Sequence, residues 1–266
     1  RAVQLQFVDQ AFLARQADAR HLRTASIPAH RGTITDRRGE PLAVSTPVIS
    51  IWANPSILSQ SERLGELADA LGMERAALEE RLQRYRGKQF MYLNRHMVPA
   101  DAREVLALKI SGVRGEREYR RFYPAGEVAA QLVGFTNVDD QGIAGLELAY
   151  EDWLKGVPGK KQYIKDLHGE VVRDIGVLQP ARPGKDLTLS IDLRLQYLQH
   201  RELQTAVIAA GAESGSIVTL DAHTGEVLAM VNYPGYNPNS RQSAKPASMR
   251  NRAMTDVYEP GSTMKT

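Results

Sequence analysis

The spacing of apolar residues predicts alternating strands and helices in the first part of the chain. Residues 29–55 have the pattern of a β-hairpin whose return arm, residues 42–53, is rich in β-branched residues. Pro47 in that arm predicts an edge position, because proline has no backbone N–H to donate. Two amphipathic helices follow, the first stopped by Gly72, with the apolar stripes Leu64, Leu67, Ala68, Leu71 and Leu78, Leu82, Tyr85.

Shorter elements continue this mixed pattern. We predict a strand at 89–95, a helix opened by Pro99 at 100–109, an extended segment at 113–123, short helices at 125–134 and 144–155, and strands over 161–189 interrupted at 168–169. Asp139 and Asp140 lie between the two short helices. They lack the alternating acidic ligands and closing glutamate of a calcium loop, so we predict a polar turn there.

From residue 192 the pattern changes, after a stretch rich in Pro, Gly and Lys at 176–190 that predicts a domain boundary. Asp192 is placed to cap a helix that ends at Gly211. Strands at 216–220 and 226–232 come next, then an irregular stretch with three prolines and a last segment containing Ser262. The helix is predicted to bury the stripe Leu195, Leu198, Ala206, Val207.

Ser262 and Lys265 form the one S-x-x-K of the chain. On a helix, residues i and i+3 share a face, so the lysine amine can reach the serine hydroxyl. A serine hydroxyl is a weak nucleophile, and a lysine whose pKa is lowered by burial or a nearby cation can take its proton. We therefore predict Ser262 as the nucleophile and Lys265 as the general base. For the motif alone, a helix-capping serine and a solvated lysine are the commoner explanation.

The composition is that of a globular protein, with 266 residues, 42% hydrophobic, 24% charged, and a net charge of +3. The absence of cysteine excludes disulfides and thiolate metal sites. No histidines are spaced i, i+4, and no nucleotide-binding glycine loop or long basic run occurs. We predict no cofactor, no metal and no nucleic-acid partner, and a solvated His223. There is no signal peptide and no apolar stretch of roughly 18 residues, and since the chain opens on Arg1 we expect a leading segment ahead of it.

Several longer motifs, in a fixed order, resemble those of a known family. Residues 31–37 (RGTITDR), 121–126 (RFYPAG) and 142–147 (GIAGLE) resemble the three non-catalytic motifs of the class B penicillin-binding proteins. Residues 257–265 (VYEPGSTMK) resemble the active-site segment of that family. Further likeness lies at 187–196, 221–230 and 251–253. Within the family, the chain is most similar to the division-specific peptidoglycan D,D-transpeptidases of Gram-negative bacteria.

The resemblance implies an α+β fold in three parts. These are a membrane-proximal stalk at 1–25, a non-catalytic pedestal of the penicillin-binding protein dimerisation type at 26–180, and the start of a transpeptidase domain at 181–266. The last would be of the serine β-lactamase type, an antiparallel sheet flanked by helices. The resemblance also implies a single membrane anchor ahead of Arg1 in the inner membrane, this region in the periplasm, and cell-division membrane proteins as partners.

The implied reaction is acyl transfer during septal cell-wall synthesis. Ser262 would attack the bond between two D-alanines of a peptidoglycan stem peptide, and the amine of a second stem peptide would resolve the acyl-enzyme. A β-lactam antibiotic would acylate the same serine. The family's S-x-N and K-T-G motifs lie further along, so a longer native chain is expected and the 266-residue piece alone is not expected to be competent. Ala130-Gln131 stands where the family has Ala-His, a departure that affects local packing.

Two other interpretations remain open. Residues 1–180 carry no catalytic constellation, so the chain could be a non-catalytic scaffold of the cell-wall machinery. It could also be a related acyl-serine protein, either a D,D-carboxypeptidase or a β-lactam sensor or hydrolase. The pedestal motifs favour a transpeptidase over this last class, because simple β-lactamases have no such domain.

Overall fold

The computed structural model describes residues 22–165 and 171–261. Its strands are β1 (Leu22–Ile27), β2 (Ile34–Thr35), β3 (Pro41–Ala53), β4 (Met91–Met97), β5 (Val113–Phe122), β6 (Phe135–Thr136), β7 (Gly142–Ala144), β8 (Gly159–Lys165), β9 (Val171–Gln179), β10 (Leu187–Thr188), β11 (Gly215–Leu220) and β12 (Val227–Tyr233). Its helices are α1 (Pro55–Leu58), α2 (Leu64–Ala70), α3 (Arg75–Arg84), α4 (Pro99–Ala107), α5 (Ala130–Val133), α6 (Gly145–Ala149), α7 (Glu151–Leu154), α8 (Leu193–Ala209), α9 (Pro246–Met249) and α10 (Arg252–Thr255), with a 3-10 helix at Gly126–Ala129.

The described residues fall into two compact units. Residues up to His30, together with Gly156–Gly184, form the first unit, and Arg31–Lys155 with the residues from Lys185 onward form the second. In the first unit β8 pairs antiparallel with β1 and with β9. Strands β8 and β9 lie within the stretch 161–189 predicted as strands, and the interruption predicted at 168–169 lies outside the described residues.

In the second unit, β3 is the centre of the larger sheet. It pairs antiparallel with β2 and β4 along one side and with β5 along the other, while β10 pairs parallel with β2. The predicted hairpin is therefore present as β2 and β3. Although β3 is a central strand, the edge position predicted for Pro47 is confirmed locally, since Pro47 pairs with Tyr119 of β5 on one side and with neither β2 nor β4 on the other. Pro47 is tolerated in a central strand because it falls between Ala43, which pairs with β2, and Ile49, which pairs with β4.

One face of β3 and β4 packs against α2, α3 and α4. The predicted helical stripes are confirmed, and Gly72 follows α2 with a φ of +66°, a left-handed conformation that suits glycine. Helices of seven and ten residues are not stable alone, so the burial of these stripes is what holds α2 and α3 in place. The core formed here includes Ile51, Leu58, Leu64, Leu67, Ala68, Leu71, Leu78, Leu82, Met91, Leu93 and Val105.

Helix α8 is capped as predicted, because the Asp192 carboxylate accepts a hydrogen bond from the backbone N–H of Arg194 at 3.0 Å. The predicted buried stripe is partly wrong. Leu198 and Ala206 are exposed, and the buried residues are Gln196, His200, Leu203 and Val207.

Gln196 explains which face of α8 is buried. Its amide nitrogen donates to the carbonyl oxygens of Val128 at 2.9 Å and Met230 at 2.7 Å, and its amide oxygen accepts from the Met230 N–H at 2.8 Å. A periodicity argument that counts only apolar residues misses a glutamine whose polar atoms are all bonded inside the protein.

The two strands predicted after α8 are confirmed as the antiparallel pair β11–β12, against which α8 packs through Leu203, Val207 and Val231. Apart from the short parallel pair β10–β2, the strands described here pair antiparallel, with helices against them. The predicted α+β class is confirmed. Among the described helices, none has the length and apolar character needed to span a membrane.

Candidate active site

The predicted nucleophile Ser262 and general base Lys265 lie outside the described residues. The described part of the candidate site is the segment that leads to them and the elements that hold this segment. Gly261, directly before Ser262, has a φ of +59°. A left-handed residue at this point suits glycine, which has no Cβ to clash with its own backbone.

Asn232 joins the β11–β12 hairpin to helix α10. Its side chain is buried, and its Oδ1 accepts hydrogen bonds from the Ala253 backbone N–H at 2.8 Å and the Ser216 hydroxyl at 2.8 Å. Its Nδ2 donates to Asn251 Oδ1 at 2.9 Å. Because buried polar atoms are costly to leave unpaired, this set of bonds fixes the start of α10 against β12.

Asp256 closes the end of α10. Its carboxylate forms ion pairs of 2.9 Å with Arg250 and with Arg252. Burial opposes ionisation of Asp256, but the hydrogen bonds from Arg252 and Thr255 outweigh it, so the pKa of this carboxyl lies below its ordinary value. The carboxylate is therefore charged at neutral pH and holds the two arginines at the point where the chain turns toward residue 261.

The irregular stretch between β12 and α10, which we call the 234–250 loop, is bonded to the second motif region. The side chain of Asn239 pairs with the backbone of Tyr123, accepting from its N–H at 3.0 Å and donating to its carbonyl at 2.9 Å. The Tyr236 hydroxyl donates to the Ala130 carbonyl at 3.1 Å. A stretch without regular structure is thus ordered by side chains that replace backbone pairing.

Gln131 makes a third connection to the same loop. Only 6% of the residue is exposed, and its Nε2 donates to the carbonyl oxygens of Pro234 at 3.2 Å and Ser248 at 3.0 Å. The two carbonyls stand near opposite ends of the 234–250 loop. One amide group therefore ties together the residue that follows β12 and the residue that precedes the Asn251–α10 segment.

The three motifs at 31–37, 121–126 and 142–147 meet in a buried ionic cluster. Glu147 is fully buried between two arginines, with distances of 2.5 Å from Oε2 to Arg31 Nε and 2.6 Å from Oε1 to Arg121 Nε. Arg31 also contacts Glu151 at 2.6 Å. Two cations around one buried anion offset much of the cost of removing the three charges from water. The cluster makes these motif residues structural.

The turn predicted at Asp139 and Asp140 is confirmed as a polar turn. Asn137 Oδ1 accepts from the N–H groups of Asp139 at 2.9 Å and Gln141 at 3.0 Å. Burial raises the pKa of Asp140 to about 6, against the opposing charges of Arg121 and Arg31. Within residues 22–165 and 171–261, no group of three or more His, Asp or Glu side chains is placed to hold a metal ion.

Asp36 of the first motif reaches the start of α8. Its carboxylate accepts from the backbone N–H groups of Arg38 at 2.7 Å, Glu40 at 2.9 Å and Leu193 at 3.1 Å. Burial raises its pKa, but these three hydrogen bonds have the larger combined effect and lower it. The first motif therefore supplies a second acceptor for the N-terminus of the helix that Asp192 caps.

Sequence reasoning did not single out the amides that hold the approach to Ser262. Asn232 lies in an apolar strand, Asn239 in an irregular stretch, and Gln131 was noted only as a departure from a family pattern. An isolated polar residue within a buried strand was the one available signal, and it pointed to Asn232 alone. His223 is exposed in the β11–β12 turn, as predicted.

Comparison with known proteins agrees with this structure. The Penicillin-binding Protein dimerisation domain matches residues 26–189, and the Penicillin binding protein transpeptidase domain matches residues 215–266. The chain belongs to the class B penicillin-binding proteins. The fold is accordingly the pedestal domain of that family followed by the start of its transpeptidase domain.

Individual relatives are similar along the whole chain. It is 48% identical to the probable peptidoglycan D,D-transpeptidase PbpC of Pseudomonas aeruginosa and 45% identical to the peptidoglycan D,D-transpeptidase FtsI of Escherichia coli K12. All of this chain is covered in both cases, against 47% and 46% of the relatives. The crystal structure of a peptidoglycan synthetase from Bifidobacterium adolescentis is similar with a TM-score of 0.60 and 25% identity, covering 91% of this chain and 48% of that one. The chain thus spans about half the length of the curated relatives it matches.

Proposed function

We propose that this protein is a peptidoglycan D,D-transpeptidase that cross-links stem peptides through an acyl-enzyme on Ser262. The observation that carries the proposal is the position of Ser262 and Lys265. They form an S-x-x-K within residues 215–266, the stretch that matches the transpeptidase domain, in a chain whose relatives are named D,D-transpeptidases. The proposed division into a stalk at 1–25, a pedestal at 26–180 and a transpeptidase part at 181–266 is supported by the ranges of the two family matches.

The proposed reaction has two steps. Ser262 Oγ attacks the carbonyl carbon between the two D-alanines while its proton passes to the Lys265 amine. The backbone N–H of Ser262 and a donor from the K-T-G strand stabilise the oxyanion, the C–N bond breaks, and the proton is returned to the departing D-alanine. The amine of a second stem peptide then attacks the ester, forms the cross-linking amide and frees Ser262. No metal or cofactor takes part.

The described structure supports this proposal because the chain segment ahead of Ser262 is held at α10. Asn232 and Asp256 hold α10, and Gly261 adopts the left-handed conformation directly before the proposed nucleophile. A nucleophile must be held within a fraction of an ångström of its productive position, so the fixing of α10 ahead of Ser262 suits acyl transfer.

We further propose a cellular location, an inhibitor class and partner proteins for this protein. A β-lactam is expected to acylate Ser262, because the amide carbonyl of its ring can be attacked by the same serine hydroxyl that attacks the stem peptide. The likeness to division-specific members of the family supports a septal role and cell-division membrane proteins as partners. It also supports a single-pass anchor in the inner membrane, with the described region in the periplasm.

The test uses the full-length protein with a donor stem peptide ending in D-Ala-D-Ala and a second stem peptide as acceptor. Release of D-alanine and formation of the cross-linked product are followed by mass spectrometry. We expect both for the wild type and for the control Ser243→Ala, which removes an exposed serine of the 234–250 loop, and neither for Ser262→Ala. D-alanine release without a cross-link would indicate a carboxypeptidase. If neither product forms and no β-lactam adduct is found, the interpretation as a non-catalytic scaffold is supported instead.

A further inference from the structure

Gln131 holds the 234–250 loop at two points that are far apart along the chain. The Pro234 carbonyl directly follows β12, and the Ser248 carbonyl lies in α9, three residues before Asn251. The side chain of Gln131 is buried and belongs to α5, a part of the second motif region. It is therefore a bridge between the two ends of the loop, supplied from a separate element.

The chemistry of this bridge requires an amide. Both partners are carbonyl oxygens, which only accept, so the bridging group must offer two hydrogen atoms at once. The NH2 group of glutamine has two. A methionine of similar size has none, and it would leave both carbonyls without this partner.

The bridge lies ahead, along the chain, of the described contacts on the segment that leads to Ser262. Ser248 is followed by Asn251, which bonds to Asn232, and then by α10 and Asp256. The chain between β12 and Asp256 is therefore fixed at two separate places. Asn232 fixes α10 on β12, and Gln131 fixes where the chain comes from before it reaches α10.

We propose that Gln131 is a positioning residue for the acylation of Ser262: by holding the carbonyls of Pro234 and Ser248 together, it sets the course of the chain that delivers the nucleophile. The inference rests on the proposed function. It predicts an effect on the rate of the chemical step rather than on the binding of the substrate, because Gln131 is buried and is not placed to contact a substrate directly.

The test measures acylation of the full-length protein by a fluorescent penicillin. Stopped-flow kinetics separate the initial binding constant from the acylation rate constant, and the rate is expressed per mole of protein that can be labelled. For Gln131→Met we expect the acylation rate constant to fall by on the order of tenfold, with the binding constant changed less than about twofold. Gln83→Met removes an exposed amide from α3 and is expected to match the wild type.

A second control separates positioning from loss of stability. Leu82 is buried in the core between α3 and the sheet, away from the loop, so Leu82→Ala is expected to lower the melting temperature with an unchanged acylation rate constant. A Gln131→Met protein with the wild-type acylation rate constant would overturn the proposal. So would a Leu82→Ala protein that loses as much of the acylation rate constant as Gln131→Met does.

Gln131→Asn covers the case in which Gln131→Met does not fold. It keeps an NH2 group on a side chain that is one methylene shorter. Its acylation rate constant is expected to lie below the wild-type value and above the roughly tenfold reduced value expected for Gln131→Met. A wild-type value would overturn the proposal. If the wild-type protein is itself not acylated, the proposed function fails; if it is acylated and the Gln131 variants are too, at the same rate, only this inference fails.

Discussion

Replacing Glu147 with glutamine is expected to destabilise the second unit strongly. The substitution keeps the shape of the side chain and one carbonyl oxygen, but it removes the only charge that lies between Arg31 and Arg121 in the described structure. All three side chains are at most 1% exposed. Water cannot solvate the arginines in place of the lost carboxylate, so the cost is that of uncompensated buried charge.

Of the two arginines, Arg121 is expected to lose more of its stabilising contacts in this variant. Arg31 keeps its contact with Glu151 at 2.6 Å and its hydrogen bond to the Glu147 backbone carbonyl at 2.6 Å. Arg121 keeps only the Ser45 hydroxyl at 3.2 Å, and within the described residues its Nη2 already has no hydrogen-bond partner. Removing one member of a buried ion pair costs about 3–5 kcal/mol. A domain is stable by about 5–15 kcal/mol, so the loss is a large share of the total.

Urea unfolding of the full-length protein measures this cost. Trp52 and Trp153, the two tryptophans of the chain, both belong to the second unit and report its unfolding by fluorescence. With a slope of about 2–3 kcal/mol/M, the expected loss moves the midpoint of the transition down by about 1–2.5 M urea. The matched control is Glu79→Gln, which breaks an exposed pair with Arg75 on α3 and is expected to cost at most about 0.5 kcal/mol.

A loss below about 1 kcal/mol for Glu147→Gln would refute the reasoning, because it would mean that the cluster is solvated or not formed. A third variant tests whether the cost comes from leaving buried charge unpaired. Changing Arg31 and Arg121 to methionine and Glu147 to leucine removes all three charges together. This triple variant is expected to be more stable than Glu147→Gln, since no unpaired charge remains buried.

Two further predictions concern the turn regions near this cluster. Gly134→Ala is expected to lower the free energy of unfolding by about 3 kcal/mol or more, because the new Cβ would lie 1.9 Å from the Ala144 carbonyl oxygen at a φ of +79°. Gly65→Ala in α2, where a Cβ meets nothing within 4 Å, is expected to stabilise by about 0.5–1 kcal/mol; equal effects of the two changes would contradict the packing described here. Asp140, with a pKa of about 6 in the folded state against 3.8 ordinarily, binds its proton more tightly when folded, so its contribution to stability is lost as pH rises from about 4 to 6. Asp140→Asn is therefore expected to raise the free energy of unfolding, measured with urea, by about 1–3 kcal/mol at pH 8 and to leave it unchanged at pH 4, and a gain of the same size at both pH values would be inconsistent with this.

Local patterns were sufficient for most of the elements. The stripes of α2 and α3, the cap at Asp192 and the β11–β12 turn each depend on residues close together in sequence, which is where periodicity and capping rules apply. The prediction that failed, the burial of Leu198 and Ala206, depended on which other element lies against the helix. That information is not contained in the local pattern.

The supports of the candidate site could not be predicted for the same reason. Gln131 and Ser248 are 117 residues apart, and Tyr123 and Asn239 are 116 apart. Each contact joins one amide to a backbone group, which any residue supplies, so neither partner has a recognisable sequence signature. Ser262 and Lys265 are the reverse case, since their motif is visible in sequence while their geometry lies outside the described residues.

The measurement that tests the central claim most directly is the location of a penicillin adduct on the full-length protein. The protein is treated with penicillin, digested, and mapped by tandem mass spectrometry, with Ser262→Ala as the control. Opening of the β-lactam ring releases no fragment, so we predict one adduct with the whole mass of the drug on the peptide that contains Ser262, and none in the variant. An adduct on another residue, or no adduct on a folded full-length protein, would contradict the assignment of Ser262 as the nucleophile of an acyl-serine transpeptidase.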